Sequence, residues 1–207
     1  MSLQINVTTL QAKKLQANQR DIELMRRVGS GDVEAFQLLI DAHRFAVIGT
    51  VEKMLGSPTE AEDIAQKVFL RVWTSAPRYE PTAQFNTWLY TIVRNLVYNE
   101  TRRRKRKPTV SLEERFECSH WVAPDVCSAL PDEQVLFTEF EEEVDNAIQA
   151  LPERQRVALY LRLRREMPYD EIAKILSATE PATKALVFKA RAELKKRLRE
   201  YLTGFSG

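Results

Sequence analysis

The chain has 207 residues, and its 31 Lys and Arg against 29 Asp and Glu leave a net charge of +2. So balanced a sum excludes a uniformly basic nucleic-acid binder and equally a solvating acidic chain. At 44% hydrophobic and 29% charged residues the composition suits one or two small soluble domains and is far too charged for a membrane protein. No run approaches the roughly 18 apolar residues of a membrane span, and the first residues lack the apolar core of a signal peptide. A cytoplasmic protein without membrane insertion is expected. Two cysteines cannot make a disulfide framework, and six glycines argue against a glycine-rich nucleotide cradle.

After a mixed segment from Met1 to Arg20, Phe36, Leu39, Ile40, Val47, Val51 and Leu55 lie close to one stripe and predict an amphipathic helix. The next helix opens with Ser57-Pro58-Thr59-Glu60, which offers an N-cap hydroxyl, a proline at the first helical position and a capping-box glutamate. Ala61, Ile64, Ala65, Val68, Phe69, Val72 and Trp73 then keep the helical period. Its other face carries Glu62, Asp63, Gln66, Lys67 and Arg71, which taken alone is a solvated surface. Pro77 and Pro81 interrupt the pattern. A third helix from about Thr82 repeats it with Phe85, Trp88, Leu89, Ile92, Val93, Leu96 and Val97, and runs into six consecutive cations, Arg102 to Lys107. That run cannot be buried and must be solvated or met by a partner.

From Pro108 to about Leu136 the period disappears, and Pro108, Pro124 and Pro131 mark a linker. Periodicity resumes at Phe137, Phe140, Val144, Ala147, Ile148 and Leu151, with Glu139, Glu141, Glu142, Glu143 and Asp145 on the opposite face. Pro152 opens a helix through Val157, Tyr160 and Leu161. A short helix from Pro168 to Leu176, the turn Ser177-Ala178-Thr179, and a helix with Leu186, Val187, Ala190, Leu194 and Leu198 follow the helix-turn-helix plan. No strand is predicted. The expected fold class is all-α, two small helical domains joined by a flexible linker: an N-terminal extension over 1–20, a first domain over 21–107, the linker over 108–136, a second domain over 137–202 and a tail over 203–207.

In the helix-turn-helix, small Ala173 permits close helix approach, and Thr183, Lys184, Lys189 and Arg191 remain as candidate donors to phosphates and base edges. An ordinary helical hairpin with a basic face is the alternative. On the third helix, Thr87, Thr91, Arg94, Asn95, Tyr98 and Arg102 share a polar face, continued by Arg103. Asn and Arg read base edges in pairs of hydrogen bonds, and a tyrosine ring can stack on an unpaired base. With the basic run adjacent, this set favours a nucleic acid over a plain polar surface. Trp88 and His43 are assigned to packing. Cys118, His120 and Cys127 have a spacing that fits none of the standard zinc frameworks, so incidental linker thiols are preferred to a metal site. No nucleophile stands beside a base, so neither catalytic residues, a cofactor nor a small-molecule substrate is expected.

Gly31-Asp32-Val33-Glu34-Ala35-Phe36, the run from Ala61 to Trp73 and the run from Phe85 to Asn95 resemble the sigma-2 domain of extracytoplasmic-function (ECF) sigma factors, members of the sigma-70 family. Leu151-Pro152-Glu153-Arg154-Gln155-Arg156 with the helix-turn-helix resembles their sigma-4 domain. The resemblance spans about Asp21 to Leu202, with the motifs in the family's order. It implies a dissociable, non-catalytic subunit of bacterial RNA polymerase that selects promoters. Glu62, Asp63 and Gln66 would dock on the clamp coiled coil of the core enzyme's largest subunit. The loop from Arg78 to Phe85, with Asn95 and Tyr98 in a set of Thr87, Thr91, Arg94, Asn95, Tyr98, Arg102 and Arg103, would hold the minus-ten element. Thr183, Lys184, Lys189 and Arg191 would meet the minus-thirty-five element, and apolar residues around them the polymerase flap.

Promoter DNA and core RNA polymerase are thus the implied partners; many family members also answer to an anti-sigma factor, though no motif here identifies one. The chain departs from the family in its recognition helix, where a turn glycine is missing and Ala185 and Leu186 replace positions often polar. A stand-alone helix-turn-helix regulator and a nucleic-acid enzyme are the rival readings.

Overall fold

In the computed structural model, residues 2–106, 140 and 143–204 are described, and among them every regular element is helical. Two compact units divide the chain: one comprises 1–51 and 61–104, the other 52–60 and 105–207. The linker cysteines and His120, Lys107, and the acidic residues Glu139, Glu141 and Glu142 lie outside the described residues.

The first unit contains α1 (Ser2–Gly29), most of α2 (Val33–Leu55) and α3 (Pro58–Ser75), a 3-10 turn (Ala76–Arg78) and most of α4 (Phe85–Arg106). α1 starts far earlier than the apolar pattern indicates. No Gly or Pro interrupts residues 2–28, so the backbone continues as helix through a segment too polar to show a periodic stripe. The corner into α2 is closed by Asp32, whose Oδ1 accepts from the Ala35 N–H at 2.9 Å while Oδ2 takes Arg27 Nε at 2.8 Å. Those bonds, the backbone one first, lower the Asp32 pKa.

The core is the predicted stripe of each helix: Leu39, Val47 and Val51 from α2, Ile64, Val68 and Val72 from α3, and Phe85, Leu89, Val93 and Val97 from α4 are buried. α1 adds Leu24, Met25 and Val28. It approaches the 3-10 turn so closely that a Cβ on Gly29 would stand 2.9 Å from the Ala76 carbonyl oxygen. His43 is a packing residue as expected. Its Nε2 lies 3.0 Å from Asp21 Oδ2, and its ring centroid 5.1 Å from that of Phe85.

The second unit packs α5 (143–149), α6 (Glu153–Arg164), α7 (Tyr169–Leu176) and α8 (Glu180–Gly204) around Val157, Leu161, Ile172, Ile175, Val187 and Ala190. It takes in the end of α2. There Lys53 Nζ donates to both Asp145 oxygens at 2.8 and 2.9 Å, and Arg156 Nη2 donates to the Met54 carbonyl at 2.9 Å. Asp145 therefore does not belong to a solvated acidic face. It is 3% exposed and satisfied by one lysine, because a buried carboxylate is stable only when paired.

Between α7 and α8 the turn has the expected place and an unexpected residue. Ser177 takes the left-handed conformation at φ 49°, ψ 54°, where glycine is usual. The Ser177 N–H reaches the Lys174 carbonyl at 3.2 Å and the Ala178 N–H the Ala173 carbonyl at 2.9 Å, the two bonds of a Schellman ending. A side chain in that region costs about 1 kcal/mol. Ser177→Gly is expected to raise the unfolding free energy of the second unit by up to about 1 kcal/mol in urea titration; an unchanged or lower value would mean that the serine side chain offsets the backbone strain.

Candidate nucleic-acid interface

α4 begins at Phe85, three residues later than the spacing indicates. The Phe85 N–H donates to Asn18 Oδ1 of α1 at 2.8 Å, and the Phe85 ring, 1% exposed, packs with Tyr79, Trp88 and His43. A side-chain cap from another helix and an anchored ring thus set the register of everything after it. Burial raises the Tyr79 pKa, with the Asp21 charge adding to it. Trp88 is half-buried with its ring edge-on to Tyr79 at 4.9 Å, a packing role as read from the sequence.

That register turns Asn95, Tyr98, Asn99, Arg102 and Arg106 outward, all exposed. Thr91 and Arg94 are half-buried on the flanks, and the Thr91 hydroxyl donates to the Thr87 carbonyl at 2.8 Å. Thr87 has to be removed from the DNA-facing set. At 3% exposed it lies in the first turns of α4, which are covered on more sides than the later ones. Arg103 is bent back along the helix: its Nη2 donates to Glu100 Oε1 at 2.6 Å, and its Nε to both carboxylate oxygens at 3.0 Å. It serves as counter-charge to a carboxylate that is 8% exposed. Asn99 is the residue missed here, one position past Tyr98 on the same outward face.

α3 presents Glu62, Asp63 and Gln66 to solvent as expected. Leu70 shares their stripe, following Asp63 at i+7 and Gln66 at i+4, and is 63% exposed. The sequence signal for it was a leucine on the polar face of a helix whose apolar stripe was already complete.

The four residues assigned to the recognition helix do not come together. Thr183 is fully buried, its hydroxyl donating to the Thr179 carbonyl at 3.0 Å, so it packs the helix-turn-helix instead of reading DNA. Lys184 and Arg191, seven residues apart, share an outward face, with Phe188 between them at 74% exposed. Lys184 pairs with Glu180 at 2.6 Å, which raises its pKa, and its Nζ lies 5.7 Å from the centre of the Tyr169 ring. Lys189 is exposed on the neighbouring side of the helix and, together with Phe188, lines a groove with Ala150, Pro152, Gln155, Ala192 and Lys196. Leu186 is half-buried, so its departure from a polar residue concerns packing, whereas Ala185 is exposed.

Each unit therefore joins a packed helical core to an outward face of hydrogen-bond donors and rings, a class of architecture suited to nucleic acid. Comparison with known proteins narrows it. Residues 39–107 match the family model of sigma-70 region 2, and residues 141–194 that of sigma-70 region 4. RNA polymerase sigma-H factor of Pseudomonas aeruginosa is 31% identical over 89% of this chain and 96% of its own length. ECF RNA polymerase sigma factor SigW of Bacillus subtilis is 31% identical over 85% and 95%. The fold is similar to that of the sigma factor RpoE from Bartonella quintana, solved with the anti-sigma factor NepR, at a TM-score of 0.63, 23% identity and coverage of 81% of this chain and 98% of that one.

The chain belongs to the extracytoplasmic-function sigma factors of the sigma-70 family. Its function is that of the family, to bind core RNA polymerase and direct promoter-specific initiation of transcription. Among the described residues no helix is long and apolar enough to cross a membrane.

Burial separates the two kinds of residue on α8. Thr183→Ser, which keeps the hydroxyl and removes a buried methyl, is expected to lower stability by about 1 kcal/mol and leave promoter affinity of the holoenzyme unchanged. Arg191→Ala is expected to do the reverse, leaving the denaturation midpoint in place while filter binding weakens several-fold.

Proposed function

We propose that the first unit captures the minus-ten element as a single strand on α4 and holds the polymerase with α3, while α8 of the second unit sets the minus-thirty-five contact. The observation that carries this reading is the outward stripe of α4. Asn95 offers a paired donor and acceptor to a base edge, and Tyr98, 41% exposed, offers a ring on which stacking is worth about 1–3 kcal/mol per base. Arg102 and Arg106 continue the stripe as phosphate partners. The loop between the 3-10 turn and α4, held at its end by Asn18, leads the strand onto this face.

Melting then needs no chemical step. Unstacking a base costs a few kcal/mol, which its capture on α4 offsets. The protein acts as a non-enzymatic subunit, in the cytoplasm with polymerase and DNA. On α3, Leu70 gives the docking face an apolar centre among Asp63 and Gln66, the arrangement in which single residues dominate binding. On α8, Lys184 and Arg191 are donors, and Phe188 between them suits contact with a thymine methyl. An anti-sigma factor that covers the Leu70 face of α3 would withhold the chain from polymerase, in keeping with the partner of the similar solved sigma factor.

The test begins with start sites mapped after induced expression, which supply promoter fragments for reconstituted holoenzyme. Asn95→Ala is expected to bind core polymerase normally and lose about tenfold or more of the permanganate-reactive thymines of the open complex. Leu70→Ala is expected to lower core affinity about tenfold, roughly 1.4 kcal/mol, and to open promoters normally once saturating. Normal opening by Asn95→Ala would remove α4 from the role given to it.

A further inference from the structure

The first two turns of α8 hold few groups that could bond a base. Over residues 180–186, Pro181, Ala182, Ala185 and Leu186 carry no side-chain donor or acceptor, and Thr183 is buried with its hydroxyl on the Thr179 carbonyl. Glu180 and Lys184 are the polar side chains left exposed in that stretch. They act on each other: Glu180 Oε1 and Lys184 Nζ are 2.6 Å apart, with the two side chains about half exposed.

The helix start does not need this carboxylate as a cap. The Thr179 hydroxyl accepts from the Ala182 N–H at 3.3 Å and the Thr179 carbonyl from the Thr183 N–H at 2.9 Å. The lysine head also lies 5.7 Å from the ring centre of Tyr169 on α7, a ring that the Arg162 guanidinium approaches to 4.9 Å. Carboxylate and ring together order the ammonium before any ligand arrives, which lowers the entropy cost of using it. A carboxylate here repels phosphate, so it would be a liability to a helix that met only the DNA backbone. Against a base edge it is an acceptor.

We propose that Glu180 and Lys184 read a single G·C pair of the minus-thirty-five element as a unit, Lys184 donating to guanine O6 and N7 and Glu180 accepting from the cytosine N4 amino group. The inference rests on the assignment of α8 to that element and deepens it by naming the base pair and its readers. A G·C pair presents those acceptors and that donor next to each other in the major groove, and a helix-turn-helix brings the N-terminal residues of its second helix to the base edges. An ammonium has three donors and a carboxylate about four lone-pair sites, so the bond between them leaves both able to bind a base. With alanine at 185 and a half-buried leucine at 186, the first turns of α8 concentrate their base reading in this pair.

The experiment titrates holoenzyme, reconstituted from the full-length protein and core polymerase, on a mapped promoter fragment and on derivatives with each base pair of the minus-thirty-five element changed singly. The wild type is expected to lose about tenfold in affinity when one G·C pair becomes A·T, and Glu180→Ala and Lys184→Ala should each cut that preference to about threefold at the same pair. Preferences elsewhere in the element should remain, and Glu180→Ala should relax the preference further in the Lys184→Ala background. The preference is a ratio within each variant, so a fraction of unfolded protein does not change it. An unchanged profile in Glu180→Ala, or a uniform change of affinity at all sequences, overturns the proposal. So does the absence of a further effect in the Lys184→Ala background, which would leave Glu180 only holding the lysine. If the wild type is indifferent to every pair of the element, the assignment of α8 falls and the proposal with it; if it discriminates among them and Glu180→Ala keeps the full profile, α8 stands and the role of the ion pair is wrong.

Discussion

The register of α4 is fixed at its first residue, and the candidate interface of the first unit depends on it. Phe85 is pinned twice, by its ring in the core and by its N–H on Asn18 of α1. A helix turns by about 100° per residue, so a shift of one position would carry Asn95 and Tyr98 off the outward stripe and bring core residues into solvent. The hydrogen bond also makes α1 part of the site, although no residue of the first 20 carries a family motif. Burial of Thr87 follows from the same anchoring, since the first turns of α4 are enclosed and the polar stripe emerges only from Thr91 onward.

Charge is distributed with the same economy. The net charge of +2 would suggest a protein indifferent to nucleic acid. At the level of single groups, exposed cations on α4 and α8 stand apart from the exposed carboxylates Glu62 and Asp63 of α3, and several other carboxylates are paired. Asp145 is satisfied by Lys53, Glu100 by Arg103, and Asp32 by Arg27 and a helix N-terminus. A carboxylate in such a pair contributes little to the external field, whereas Arg102, Arg106 and Arg191 remain exposed. Balance of the total is thus compatible with a DNA-binding surface, because the single carboxylate of α4, Glu100, is buried and paired while Arg102 and Arg106 stay exposed.

Much of this was legible beforehand. The apolar stripes of α2, α3 and α4 and the helix-turn-helix turn follow from periodicity and from local capping chemistry, and the family motifs fall within them. What escaped were features set by contact between distant segments. The Asn18 bond to α4 joins residues 67 apart, and the Lys53–Asp145 pair residues 92 apart. Neither leaves a local pattern. Polar residues on a helix also carry no label for which side of the core boundary they occupy. Thr87 and Thr183 have the look of interface residues and are buried, because a threonine can satisfy its hydroxyl on a carbonyl one turn back, as Thr183 does on Thr179. Conversely, Leu70 and Phe188 are apolar and exposed, and only the folded register shows that they stand among the polar residues of the proposed docking faces.

On the reading proposed above, the two units meet DNA as parts of polymerase and not as an autonomous regulator. Electrophoretic mobility shift of a mapped promoter fragment, with the protein alone and with the protein on core polymerase, tests this most directly. The expected result is no specific shift by the protein alone at concentrations where the holoenzyme shifts the fragment fully and opens it. Tight, sequence-specific binding by the isolated protein would contradict the account.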